Sequence, residues 1–464
     1  MCHKWNLAII ASVNIKEPWM IKYTLKTYIT EYVLSERRLS HTRQRTENKR
    51  LKANLPDTLE VFLAIDDPLS YLLLQVLPEL QSRYKISIKF SMVLNKTKAM
   101  FPDIEKWDQN ILKDCVQLSQ LYGLDSPLSL IKTQTCSISA SEKLVCFEHR
   151  DDFITQALPI FAAYWHDQAA ELTRLLSFEA DKMTLTPQQA LRRNEAYLAK
   201  RGHYLSASIF YGGEWYWGLE RIQYLERRLN ILHSKPEADV KYDKLHNICI
   251  DKKDCERQQK TTGANVLTMY FSVRSPYSYL GLIRAQKIAH HYNIPLRLKP
   301  VLPMLMRGLP VPPKKSLYIG LDVKREALCY GIEFGKIADP LGKGVERCYS
   351  LFEYAESQGK SIEFMSNFMR CVWSQRVRSE TNKGLKKIVE LSGLEWQQAI
   401  KHINNEGWTV WADDNLNQLY ALGLWGVPSF HYNDTLAFGQ DKLLFIEQAI
   451  RKDLYPNSCA KTVY

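Results

Sequence analysis

Between the apolar run LTMYFSV and a helix-forming stretch, the chain reads Ser275-Pro276-Tyr277-Ser278. Serine is a favoured helix N-cap and proline suits the first helical position, so a helix is expected to begin here. The first N–H groups of a helix lack intrahelical partners and carry positive potential. A hydroxyl at that point can donate a hydrogen bond to an anion lying in front of the helix, a thiolate included. The same four residues also serve as a plain helix start, with no chemistry attached.

The elements that must position these residues occur twice. VFLAIDDPLSYLLLQ aligns with MYFSVRSPYSYLGLI at an offset of 208 residues (67 against 275), which sets Asp67 under Ser275 and Pro68 under Pro276. YKISIKF and YNIPLRL keep that offset (84 against 292), as do YGL and YGI (122 against 330). Further on, ASIFYGGEWYWGLERIQYLERRL aligns with PSFHYNDTLAFGQDKLLFIEQAI at an offset of 221 (207 against 428). Self-similarity over this length indicates duplication of a whole domain, because solenoid repeats are far shorter. Each copy has one plan: strand, helix, strand, a long helical stretch, a hairpin of two short strands, and a closing helix.

That plan predicts an α/β fold of two tandem thioredoxin-like domains, each with an inserted helical subdomain. The expected organisation is a basic N-terminal extension over 1–56, a first copy over 57–229, a charged linker over 230–264, a second copy over 265–455 and a tail over 456–464. Redox members of such a fold place C-x-x-C at the first strand-to-helix joint, where the helix end stabilises a thiolate. Here the frame contains no sulfur, so dithiol exchange cannot run at it. The site suits a thiol that arrives as a ligand.

Composition bounds the remaining possibilities. The chain has 464 residues, 45% hydrophobic and 24% charged, with no stretch approaching a membrane span. LAIIASV (7–13) is short and lacks a small-x-small cleavage site, so no signal peptide is expected. The net charge of +12 is concentrated early, in SERRLSHTRQRTENKRLK, and no nucleic-acid motif accompanies it. Neither nucleic acid nor membrane is expected as a partner. The 10 cysteines are irregularly spaced and form no C-x-x-C, which points to a reducing, cytoplasmic setting. His246, Cys249 and Cys255 form the tightest metal-type group, but their spacing is not that of a zinc site and no metal is expected.

Three segments of the second copy, FSVRSPYSYLG, PPKKSLYIGLDVKREALCYGI and LWGVPSFHYNDTLAFGQDKL, lie in the order found in the 2-hydroxychromene-2-carboxylate isomerases and kappa-class glutathione transferases. The resemblance covers about Leu267 to Leu454. It implies a DsbA-like thioredoxin domain using glutathione as cofactor or substrate on a small electrophilic or conjugated carbonyl compound. The family serine maps onto Ser275, as the catalytic residue that stabilises the glutathione thiolate. Val427 and Pro428 map onto a cis-proline loop whose backbone pairs with the cysteinyl part of glutathione. Gln440 and Asp441 map onto the segment opening the last helix, where the acid meets the γ-glutamyl ammonium. Lys315 maps onto the basic residue that meets a carboxylate. Two departures stand out: GLPVPP has no asparagine before its prolines, and the insert around MRCVWSQRVRSETNKGLKK follows the family loosely. Related enzymes pair as dimers, which the resemblance carries over as an internal pseudo-dimer of the two copies.

The first copy departs further. Asp67 stands at the serine position, where a carboxylate would raise a thiol's pKa. Ala207 stands at the proline position. The first copy is therefore expected to pack without reacting. A non-enzymatic thioredoxin-like binding protein is the alternative for the whole chain.

Overall fold

The computed structural model describes residues 27–94, 100–128, 134–177, 184–246, 248 and 265–455. These residues hold two four-stranded sheets of identical order. In the N-terminal half, β1 (Thr58–Leu63), β2 (Ser87–Met92), β3 (Ser208–Tyr211) and β4 (Glu214–Trp217) run in the order β2-β1-β3-β4. In the C-terminal half, β5 (Leu267–Phe271), β6 (Leu296–Pro300), β7 (Ser429–Tyr432) and β8 (Thr435–Phe438) run β6-β5-β7-β8. In each sheet the first two strands are parallel and the others antiparallel.

A parallel pair needs a crossover, and the helices Pro68–Tyr84 and Pro276–Tyr292 supply one in each half. The β7–β8 hairpin turns through Asn433 at φ 50, a left-handed conformation that asparagine tolerates. All five residues of β5 are buried, as a central strand covered on both faces requires. Five helices between Ile104 and Arg201 and seven between Pro313 and Ala421 form the inserts.

Equivalent hydrogen bonds recur in the two halves. Ser70 Oγ accepts from the Ala64 N–H at 3.1 Å, and Ser278 Oγ from the Ser272 N–H at 3.4 Å. The Gly218 N–H donates to the Ala207 carbonyl, and the Gly439 N–H to the Pro428 carbonyl, both at 2.9 Å. The Tyr71 hydroxyl donates to the Asp125 carboxylate, and the Tyr279 hydroxyl to the Glu333 carbonyl.

The basic extension contains the helix Glu36–Lys52, which buries no residue of its own. It is nevertheless fastened to the body. Arg43 donates to both Glu214 carboxylate oxygens at 2.7 and 2.9 Å, and Thr46 Oγ1 donates to the Gly212 carbonyl at 3.0 Å. Upstream of it, Leu34 is buried against Gly320. The helix opening the charged segment runs to Leu232. The chain beyond packs down, with Tyr242 and Leu245 buried and the Lys241 and Tyr242 N–H groups donating to the Glu226 carboxylate.

Cys249 and Cys255 lie outside the described residues. His246 is packed against Tyr224, its Nε2 3.2 Å from the hydroxyl and 3.8 Å from Glu326. Among the described residues no His/Cys/Asp/Glu group could hold a metal, and no helix is long and apolar enough to cross a membrane.

Candidate active site

Ser275 is the N-cap of Pro276–Tyr292, and its Oγ accepts from the Ser278 N–H at 3.2 Å. Pro276 is the first helical residue. The preceding turn is pinned by Arg274, which donates to both oxygens of Asp339 at 2.9 Å. The two serines of the motif separate in role. Ser278 is fully buried and ties the helix back to Ser272, whereas Ser275 is half-buried and, among the described residues, its hydroxyl donates to no partner. The Tyr277 hydroxyl donates to Asp322 Oδ2 at 2.6 Å and anchors the first turn to the insert.

The Val427–Pro428 peptide is cis. Glycine is required just before it, since a Cβ on Gly426 would sit 2.6 Å from the Phe438 ring. On the other side, a Cβ on Gly281 would lie 3.3 Å from Pro428 Cβ. The cis-proline loop thus lies directly on the helix that Ser275 caps, because glycine at position 281 lets the two backbones approach.

Gln440 and Asp441 are placed differently from the expectation that both face a ligand. Gln440 is 1% exposed; its Oε1 accepts from Arg284 at 2.9 Å and its amide donates to Glu326 at 2.5 Å. The side chain is spent on this internal chain, because a buried amide must find protein partners. Asp441 is 9% exposed and accepts from Arg221 Nη1 at 2.7 Å. Burial pushes its carboxyl up, but Lys442 and Arg221 outweigh that and hold it below the usual carboxylate range. A ligand ammonium would have to share this carboxylate with Arg221.

Arg221 comes from the N-terminal half, and its contact is one side of a reciprocal exchange. Arg221 pairs with Asp441 at 2.7 Å and Asp322 at 2.8 Å in the C-terminal half. Lys442 of the C-terminal half pairs with Glu220 at 2.6 Å and Asp114 at 3.6 Å in the N-terminal half. At the two sequence offsets, Arg221 corresponds to Lys442, Glu220 to Asp441 and Asp114 to Asp322. Residue i meeting j while j's equivalent meets i's equivalent is the signature of a two-fold interface. Burial raises the Asp114 carboxyl to about 7, with Lys442 pulling against it. The signal for this pairing was in the chain: the duplicated acid–base dipeptides Glu220-Arg221 and Asp441-Lys442 fall in register.

Lys315 is half-buried and, among the described residues, pairs with no acid. Its Nζ donates to the Met100 carbonyl of the N-terminal half at 2.8 Å. Burial pulls its ammonium down to about 8. A half-buried ammonium held by a single carbonyl retains donors for an incoming carboxylate.

The corresponding position in the N-terminal half is closed. Asp67 caps its helix through the Leu69 N–H at 3.1 Å and also accepts from Ser70 and Ser206 at 3.0 and 2.6 Å. It is 7% exposed. Ala207 sits at φ 49, and the only cis peptide among the described residues is Val427–Pro428. Neither a free hydroxyl nor a cis-proline edge is present.

Residues 266–451 match the model of the DSBA-like thioredoxin domain. The 2-hydroxychromene-2-carboxylate isomerase of Pseudomonas putida is 22% identical over 194 residues, covering 40% of this chain and 94% of that protein. That of Pseudomonas sp. (strain C18) is 21% identical over 193 residues, covering 40% and 90%. Among solved structures, a 2-hydroxychromene-2-carboxylate isomerase is similar at 20% identity and TM-score 0.37, covering 42% of this chain and 100% of that one. The C-terminal two-fifths of the chain thus matches a DsbA-like thioredoxin domain and is similar in sequence to proteins named 2-hydroxychromene-2-carboxylate isomerases.

Proposed function

We propose that the protein is a glutathione-dependent isomerase or transferase acting on a small electrophilic or conjugated carbonyl compound, with one active site, in the C-terminal half. The observation that carries this reading is Ser275, a half-buried N-cap hydroxyl that donates to no partner among the described residues, on a helix packed against a cis-proline loop. The sulfur-free frame argues against disulfide exchange at the same place. The sequence similarity to proteins named isomerases supports an enzyme of that class.

Glutathione bound here would supply a thiolate that adds to a conjugated carbonyl compound and leaves again, or stays on the product. The chain's own part is to hold that sulfur charged and to orient the peptide. Ser275 donates to the sulfur and the helix N-terminus adds positive potential. Lowering a thiol pKa by one unit requires about 1.4 kcal/mol, within reach of a charge-assisted hydrogen bond. The backbone of Val427 offers the edge for an extended peptide. Lys315 takes a carboxylate, and the γ-glutamyl ammonium shares the Asp441 carboxylate with Arg221.

We further propose that the N-terminal half is a degenerate thioredoxin-like copy arising by tandem duplication, docked as an internal pseudo-dimer in the cytoplasm. The matching strand order, the equivalent hydrogen bonds and the reciprocal ion pairs support this. The occupied Gln440 and Asp441 favour a second reading, a binding protein without catalysis. Titration calorimetry of glutathione onto the full chain tests both. One site per chain is expected; two equivalent sites would contradict the closed N-terminal copy, and no binding would leave the non-enzymatic reading.

A further inference from the structure

A second cluster of ligand-type groups lies across one face of the C-terminal sheet, around the row through Thr268. The register there puts Arg297 of β6 and His431 of β7 on either side of Thr268 of β5. Paired residues of neighbouring strands project from one face. One step along, Lys299 lies beside Tyr270. Together with Gln418 and Leu422 at the end of the helix Trp408–Ala421, these residues line a cleft of about 550 Å³. That is within the range of small-molecule sites.

The cleft is cationic and its charges are poorly matched. Among the described residues no carboxylate forms an ion pair with Arg297 or Lys299. Lys299 Nζ is held by neutral oxygens, Gln418 Oε1 at 2.5 Å and Asn415 Oδ1 at 3.5 Å. Burial, and then Arg297, pull its ammonium below the usual range, with the field of Asp414 opposing. His431 Nε2 lies 2.5 Å from the Asn433 carbonyl. Holding two cations on adjacent same-face positions costs free energy that an anion would recover.

The N-terminal sheet provides the internal comparison. Its corresponding row is Lys89, Glu60 and Phe210. There the place of Thr268 is taken by Glu60, which accepts from Arg201 at 2.6 Å and from Tyr197 at 2.5 Å. Arg201 also lies 4.6 Å from the centre of the Phe210 ring, and Phe62 and Phe210 pack on Trp215. In that sheet the face is filled with aromatic rings and its central carboxylate is neutralised by Arg201. In the C-terminal sheet the carboxylate is a threonine, Phe210 is replaced by His431, and a cleft lies beside the row.

We propose that this face is a second ligand site, for a small organic oxyanion: a carboxylate or phosphate head held by Arg297, Lys299 and Thr268, with an apolar body against Tyr270, Ala421 and Leu422. A guanidinium fork with an adjacent ammonium and hydroxyl matches the acceptor geometry of such a head. The site does not rest on the glutathione reading, since none of its residues belongs to the Ser275 constellation.

The test titrates benzoate and phenyl phosphate separately onto the full chain by calorimetry, with ionic strength fixed by chloride. At least one probe is expected to bind once per chain; which one does so assigns the head group. Arg297→Gln and Lys299→Gln should each weaken it tenfold or more without lowering the melting temperature, because both side chains leave an edge strand. Thr268→Glu, which restores the charge of the N-terminal row, should abolish binding. Absence of binding by both probes, or an affinity unchanged in Arg297→Gln, would overturn the proposal.

Discussion

Lys442→Met removes one cation from the reciprocal interface and leaves Glu220, Asp114 and Asp441 buried around the gap. Lys442 Nζ is 2.6 Å from Glu220, 3.6 Å from Asp114 and 3.9 Å from Asp441. Removing one partner of a buried ion pair costs about 3–5 kcal/mol. The pH dependence follows from Asp114, raised by burial from 3.8 to about 7 even with Lys442 present. A carboxyl whose folded pKa is raised contributes stability below its unfolded pKa and loses it as pH rises through the folded value. Without Lys442 that folded value climbs further. Asp441, held low by Lys442 and Arg221, loses one of its two supports. At pH 8 the variant should therefore be less stable by the full ~3–5 kcal/mol. As pH falls from 8, the gap should close by ~1.4 kcal/mol per pH unit for each carboxyl that is protonated in the variant while still charged in the wild type. Urea unfolding of the full chain at pH 6 and pH 8 measures this, with Arg221→Met as the mirror-image variant. A loss below 1 kcal/mol, or an equal loss at both pH values, would refute the buried exchange.

Ser275→Ala should leave glutathione bound, raise the pKa of its thiol by about one unit and cut turnover near neutral pH about tenfold, equivalent to ~1.4 kcal/mol. The ultraviolet thiolate band of the complex reads the pKa, and an unchanged value would reduce Ser275 to a helix cap. The lost cap should cost ~1 kcal/mol, so melting is measured alongside. Lys315→Met should weaken glutathione binding about tenfold. Wild-type affinity should fall as pH rises through about 8, where the ammonium loses its proton, and the variant should be flat across that range; matching pH profiles would remove Lys315 from the site.

What the sequence determined is local or periodic. The two offsets, 208 and 221, place every strand of the second sheet on a strand of the first, because the apolar alternation that fixes a strand is written residue by residue. Ser275 as N-cap and Pro276 as first helical residue follow from short-range rules, and so does the Asn433 turn. The absence of sulfur from the frame was legible as chemistry before any fold was known. Asp67 and Ala207 likewise announced a first copy lacking the same groups.

Tertiary structure decided which polar groups remain free. Asp441 and Gln440 open the last helix in sequence, where an acid and an amide look accessible; burial against Arg221, Arg284 and Glu326 commits them inward. Arg221 and Lys442 fall in register as duplicated positions of the chain, but only the docking of the two halves brings them to partners 220 and 222 residues away. The Lys315 ammonium is depressed by burial beside the Met100 carbonyl of the other half, and the charged segment after Leu232 is packed by Tyr242 and Leu245. The physical reason is common to all of them. Whether a charge stays with solvent, an ion pair or a ligand depends on desolvation, which is set by what the other half of the chain brings against it.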